Sequence, residues 1–156
     1  MNESSVYIVT GQIQTGKTTA LIEWSDGKND VFGILTPVIE GKRFFMDAHL
    51  RNRFEMEANE GDQEVISIGR FKFSTISFHK ATQIINDSIG KGWLVIDEIG
   101  PLELNKQGFY EVVKEALLKH FSPVVLVVRE SLAAKVADLF ELKNYEVISK
   151  DQLKTL

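Results

Sequence analysis

Apolar positions along the chain fall into two rhythms. Short apolar, β-branched runs at residues 6–10, 93–96 and 123–128 read as buried strands, and residues 145–148 read as a last strand. Residues 31–39 read as a further strand, with Pro37 bending it or placing it near an edge. Residues 43–50 and 54–58 mix apolar and polar positions and predict antiparallel strands, with Gly41-Lys42 at a hairpin tip; 64–68 and 71–76 carry a weaker strand pattern. The second rhythm is helical. Residues 17–24 have helical composition, and 78–89 place Ala81, Ile84, Ile85 and Ile89 on one face. Residues 109–121 set Phe109, Val112, Val113, Ala116, Leu117 and Phe121 on a core side, and Ser131 is placed to cap a helix running to about residue 140.

In order, these elements give β-α, an antiparallel insertion, then α-β-α-β-α-β. Such alternation predicts an α/β fold in which a mainly parallel sheet is covered by helices on both faces and carries a hairpin-rich insert. Residues 123–128, the most apolar run, predict a central strand. The length of 156 residues suits one domain, 1–156, with a full core.

Composition changes this picture mainly by exclusion. With no cysteine, disulfides, thiolate nucleophiles and Cys-based zinc sites are ruled out. The net charge of −4 is scattered, and the absence of a basic stripe argues against a nucleic-acid partner. No apolar stretch is long enough to span a membrane, and the first residues lack a signal-peptide layout, so the expected location is cytoplasmic.

The chemistry begins where the first strand ends. Gly11-Gln12-Ile13-Gln14-Thr15-Gly16-Lys17-Thr18 matches the phosphate loop G-x-x-x-x-G-K-[ST], with a strand before it and a helix after it as the motif requires. Its glycines let consecutive backbone N–H groups face phosphate oxygens, and the following helix adds the positive end of its dipole. Lys17 supplies a charge for the β- and γ-phosphates, Thr18 offers a hydroxyl to Mg²⁺, and Thr19 is placed to reach the α-phosphate. The expected fold is therefore a three-layer sandwich of the P-loop NTPase type.

A second cluster follows the run Leu94-Val95-Ile96. Asp97 and Glu98 are expected at a strand end, Asp97 toward the metal and Glu98 toward the γ-phosphate, polarising an attacking water. Arg129 ends the central apolar run, where strand C-termini face the ligand crevice, and is a candidate for stabilising transition-state charge. Arg70, after Gly69, is a candidate for similar work or for substrate binding. His49, His79 and His120 share no metal-ligand spacing and read as structural. Asn105-Lys106-Gln107-Gly108 lacks the aspartate that reads guanine in Ras-like GTPases.

These blocks, in this order, resemble the small nucleoside-triphosphatases that include the thermophile enzymes and the human cancer-related nucleoside-triphosphatase. The phosphate loop is followed by Gly33-Ile34-Leu35-Thr36-Pro37-Val38, similar to the family's G-[FY]-x-T-x-E, and by the hairpin with Gly41-Lys42-Arg43. Ile68-Gly69-Arg70-Phe71 is similar to its G-R-Y element, and residues 95–104 to its extended D-E-I-G-x-[ML]-E-L signature. Val127-Val128-Arg129 matches its late strand ending in arginine. Val38 stands where the family commonly has glutamate, with Glu40 two residues on. The resemblance implies Mg²⁺-dependent hydrolysis of ATP, GTP and related triphosphates to diphosphate and phosphate. It also implies a role for Glu103, otherwise a surface acid by composition.

Two rival readings belong to other classes. A small-molecule or nucleotide kinase on the same fold needs an arginine-rich lid, for which the insert with Lys42, Arg43, Arg51 and Arg53 is the one candidate. A non-catalytic nucleotide-binding accessory module needs the loop without turnover. Neither the preferred base, nor the oligomeric state, nor a protein partner is legible.

Overall fold

The computed structural model of the chain describes residues 5–11, 16–59, 61, 64–68 and 71–156. The first strand, β1 (Val6–Gly11), leads into the loop, and α1 (Lys17–Ser25) leaves it. Then come β2 (Val31–Leu35), β3 (Val38–Ile39), β4 (Lys42–Asp47), β5 (Arg53–Glu55) and the pair β6 (Val65–Ile68) and β7 (Phe71–Ser74). The remainder is α2 (Thr75–Ser88), β8 (Trp93–Ile99), α3 (Pro101–Leu104), α4 (Tyr110–Lys119), β9 (Val124–Arg129), α5 (Ala133–Leu139) and β10 (Tyr145–Ser149). A 3-10 turn, Lys150–Thr155, follows β10.

The main sheet runs β10-β1-β9-β8-β2-β4-β3, with β5 also paired to β4. The strands β10, β1, β9, β8 and β2 are mutually parallel; β3, β4 and β5 form the antiparallel insert. As expected, β9 is central and wholly buried from Val124 to Val128. It also lies between β1 and β8, so the strand carrying Asp97 is one removed from the phosphate-loop strand rather than beside it.

Period-two alternation sorts the sheet's side chains into two cores. On one face Ile8, Ile34, Leu94, Ile96, Leu126 and Val128 meet Phe78, Ala81 and Ile85 of α2, Val113 and Ala116 of α4, and Val136 of α5. On the other, Val9, Val31, Leu35, Val95, Val125 and Val127 meet Leu21 of α1 and Leu153 of the C-terminal turn. Gly33 marks the closest approach in the sheet. Its φ is +118°, and a Cβ there would lie 2.0 Å from the Val95 carbonyl oxygen, so β2 pairs with β8 in this register only with glycine.

Several boundaries differ from the sequence expectation. Residues 31–39 form two strands, because Pro37 has no N–H to give a ladder and the chain breaks at Thr36-Pro37. The strand expected over 43–50 stops at Asp47, whose Oδ1 accepts the N–H groups of His49 (2.8 Å) and Leu50 (2.9 Å) and so closes a turn. Thr75 and Ile76 belong to α2, not to β7, since Ser74 caps that helix by accepting the Ser77 N–H at 3.2 Å. Phe121 is 80 % exposed, because α4 ends at Lys119 before its helical phase reaches that residue. Ser131 caps nothing: it sits in a 3-10 turn, Glu130–Leu132, and α5 starts after it without a side-chain cap.

Candidate active site

The site is assembled from the C-terminal ends of β1, β9 and β8 and the start of α1. Gly16 occupies the left-handed region at φ +83°, which turns the chain into α1, and its carbonyl accepts the Ala20 N–H at 2.9 Å. Lys17 follows at once. The residue is 7 % exposed, and Nζ lies 3.4 Å from the Gly11 carbonyl oxygen, at the end of β1. Gln12, Ile13, Gln14 and Thr15, expected in the phosphate cradle, lie outside the described residues, as do Gly69 and Arg70. Thr19 is exposed on the first turn of α1.

Thr18 and Asp97 are brought together. The Thr18 hydroxyl donates to Asp97 Oδ2 at 2.6 Å, and the Thr36 backbone N–H donates to the same oxygen at 3.1 Å. The break at Pro37 thus has a local use, since it leaves the Thr36 N–H outside the ladder and aimed at the acid. Asp97 is fully buried, and its second oxygen, Oδ1, has no hydrogen-bond partner. Burial pushes its carboxyl from 3.8 up to about 6, against the lowering effect of the Thr18 bond, with the neighbouring Glu98 raising it further.

Both acids lie within β8 rather than after it, because the strand runs on to Ile99. Asp97 pairs with Val127 and Ile99 with Val128, so Glu98 is the extra residue of a bulge. A bulge frees one residue from the ladder and re-aims its side chain. Glu98 turns to Arg129, whose Nε lies 3.3 Å from Oε1, with both side chains about one-third exposed. Arg129 is in register with Gly11, the first glycine of the phosphate loop. It therefore stands at the end of the interposed strand, between that loop and Glu98.

Glu103 is neither a surface acid nor a member of this cluster. It is 3 % exposed, and it accepts the N–H groups of Gly100 (2.8 Å) and Phe109 (2.9 Å), tying both ends of the segment after β8. Burial lifts its carboxyl from 4.5 up to about 7, the two N–H bonds opposing. Gly108, at φ +59°, makes room for it: a Cβ there would lie 2.1 Å from Glu103 Oε2.

The remaining candidates have local uses. Arg51 donates from Nη2 to Ser25 Oγ at 2.6 Å and Arg53 lies over the Phe44 ring, so neither is placed as part of a lid. His49 stacks on Phe32 at 4.2 Å and His120 is buried, holding the turn before β8. Among the described residues no group of three or more His, Asp or Glu side chains converges as a metal site, and no helix is long and apolar enough to cross a membrane. Sequence reasoning passed over Lys150, whose ammonium comes to 3.5 Å of where a Gly16 Cβ would sit. The visible signal was Ser149-Lys150-Asp151-Gln152, a capping box directly after the last strand.

A parallel sheet whose first strand feeds the motif loop and helix, with a buried carboxylate reaching that helix from a strand beyond, defines a P-loop nucleotide-binding protein. The chain belongs to the NTPase family, whose model matches residues 6–153. The nucleoside-triphosphatase THEP1 of Methanopyrus kandleri is 30 % identical over 150 residues, an alignment covering 86 % of this chain and 79 % of that protein. Among solved structures, a human cancer-related nucleoside triphosphatase is similar with a TM-score of 0.73 and 19 % identity, over 97 % of this chain and 94 % of that one. THEP1 from the hyperthermophile Aquifex aeolicus is similar with a TM-score of 0.65 and 17 % identity, over 96 % and 95 %. These two likenesses bear out the expected α/β sandwich.

Proposed function

We propose that the chain hydrolyses nucleoside 5′-triphosphates, ATP and GTP among them, to diphosphate and phosphate with Mg²⁺. The observation that carries this reading is Asp97: fully buried, bonded through Oδ2 to the hydroxyl of Thr18, and with Oδ1 unpartnered. A buried, unsatisfied carboxylate oxygen beside a hydroxyl is a costly arrangement for an apo core and a suitable one for a hard cation with oxygen ligands. Thr18 and Asp97 are the residues that would hold the ion, which when bound neutralises charge on the β- and γ-phosphate oxygens.

The rest falls to the chain's own groups. The loop from Gly11 to Gly16 and the N-terminus of α1 bind the phosphates through backbone N–H groups, and Lys17 adds its ammonium. Glu98 orients a water and takes its proton as the water oxygen attacks the γ-phosphorus. The bond from that phosphorus to the bridging oxygen breaks and the diphosphate leaves. Arg129, beside Glu98 and level with Gly11, is placed to meet the charge developing on the γ-phosphoryl oxygens.

Phosphate release against a panel of nucleotides with Mg²⁺, and with no added acceptor, tests the reading. Wild type is expected to release phosphate from several triphosphates and Lys17→Ala to release almost none. Equal release from both proteins sinks the hydrolase reading, and release that requires an acceptor makes the chain a phosphotransferase.

A further inference from the structure

A buried acid with no part in the steps above lies just past β8. Glu103 is 3 % exposed, and each of its oxygens takes one backbone N–H, Oε1 that of Gly100 and Oε2 that of Phe109. Two such donors need an acceptor on both sides. A carboxylate supplies it, whereas an amide of the same shape would turn an NH2 group toward one of them. The two residues so joined are unlike. Phe109 is 2 % exposed and packs on Phe45 and Phe78 directly before α4, so it is a fixed point of the core. Gly100 is the first residue beyond β8.

Gly100 matters because of the bulge. Asp97, before the bulge, is held by its pairing with Val127 and by Thr18 and Thr36. After the bulged Glu98 the strand has one residue left, Ile99, paired with Val128. The downstream anchor of Glu98 is therefore that single pair and the bond from the Gly100 N–H to Glu103. Burial is the main reason the Glu103 carboxyl is raised, and the charge of Glu98 adds to it, a mark of how near the two acids lie. Resting on the hydrolase reading given above, we infer that Glu103 is a positioning residue for that reaction. Through the Gly100 N–H it fixes the end of β8, and with it the direction in which the bulged Glu98 presents its carboxylate to the water. Because Glu103 is buried and both its oxygens are engaged, its effect falls on the chemical step and not on nucleotide affinity.

A double-mutant cycle tests this. Phosphate release from ATP and GTP with Mg²⁺ is measured for wild type, Glu103→Gln, Glu98→Gln and the double variant. Binding of a non-hydrolysable triphosphate and a melting temperature are measured alongside. Glu103→Gln is expected to lower kcat about ten-fold or more, while KM and triphosphate affinity stay within about two-fold. In the Glu98→Gln background the same change should lower kcat by less than about two-fold, since the group being positioned is already gone. Gly108→Ala, whose Cβ would press on Glu103 Oε2, should give the same pattern alone and with Glu98→Gln, and it carries the test if Glu103→Gln does not fold. Wild-type kcat in a folded Glu103→Gln protein overturns the inference. Equal fold-losses in both backgrounds overturn it by making Glu103 a structural group independent of Glu98, and a loss confined to affinity overturns it in favour of a role in binding. If wild type releases no phosphate, or Glu98→Gln is fully active, the hydrolase reading itself fails and takes this inference with it.

Discussion

The Thr18 hydroxyl and Asp97 Oδ2 are 2.6 Å apart although 79 positions of chain separate them. The bond spans the end of β9, the strand that separates the phosphate-loop strand from the carboxylate strand. Asp97→Asn preserves size and can still accept from Thr18 and Thr36, but it removes the charge proposed to hold the ion. Phosphate release is expected to fall at least about 100-fold. Its melting temperature without nucleotide should equal or exceed that of wild type, because a neutral amide replaces a buried acid that lacks a partner on one oxygen. A variant that keeps its activity, or one that unfolds, contradicts the role given to Asp97.

Glu98 and Arg129 form a partly exposed ion pair, worth under about 1 kcal/mol to the fold. Neither Glu98→Gln nor Arg129→Ala should therefore move the melting temperature much. Their kinetic effects should differ in kind. Glu98→Gln is expected to lower kcat about 100-fold or more with KM little changed, through loss of the base. Arg129→Ala should lower kcat by a similar order and weaken a non-hydrolysable triphosphate more than a diphosphate. Full activity in Glu98→Gln removes the proposed base.

Glu103 is expected to matter for stability first. Glu103→Ala leaves the buried N–H groups of Gly100 and Phe109 without their acceptor and should cost about 2–4 kcal/mol by urea unfolding. Gly108→Ala should cost a comparable amount, through its positive φ and its overlap with Glu103 Oε2. The pH dependence has a definite sign. The fold raises this carboxyl from 4.5 to about 7, so its protonated form is favoured on folding. That contribution is complete below 4.5 and is lost as pH rises through about 7. Between pH 5 and 8, wild type should lose stability relative to Glu103→Gln; a constant gap counts against the assignment.

His120 acts in the opposite sense. Nδ1 accepts the Gly90 N–H at 3.0 Å, which leaves Nε2 as donor to the Gly92 carbonyl at 2.9 Å, so the fold requires the neutral ring. Burial lowers its pKa below 6.5, although the Gly92 and Pro123 carbonyls favour the charged form. The neutral ring's contribution is present in full above 6.5 and is lost as pH falls through the lowered value. His120→Asn should be less stable than wild type at pH 8, and the difference should shrink on acidification below 6.5. Urea midpoints at four or five pH values decide the matter.

Much of this arrangement was legible from residues alone because it depends on short-range pattern. The strand before Gly11, the helix from Lys17 and the acid after Ile96 each show in a few consecutive positions, and β9 declares itself by five uninterrupted apolar residues. What was not legible depends on tertiary placement. The strand order of β1, β9 and β8 leaves no local trace, and Glu103 looks like any acid on a helix until Gly100 and Phe109 close around it. Phe121 kept helical phase in the sequence, but the helix stops two residues short. Lys150 follows an edge strand with exposed Tyr145 and Val147, and nothing in that sequence indicates that the turn packs beneath α1.

The glycine in β2 ties the sheet to the chemistry. Gly33 lets β2 lie against Val95, and two residues past that strand's last pair with β8, at Ile34, the chain presents the Thr36 N–H to Asp97. Any side chain at 33 pushes the two strands apart at the point from which Thr36 is aimed. A Gly33→Ala protein that still folds around its other core residues would thus lose the alignment of an acid that position 33 never touches. In a genetic screen, that allele would be scored as an active-site lesion while mapping to the middle of a strand.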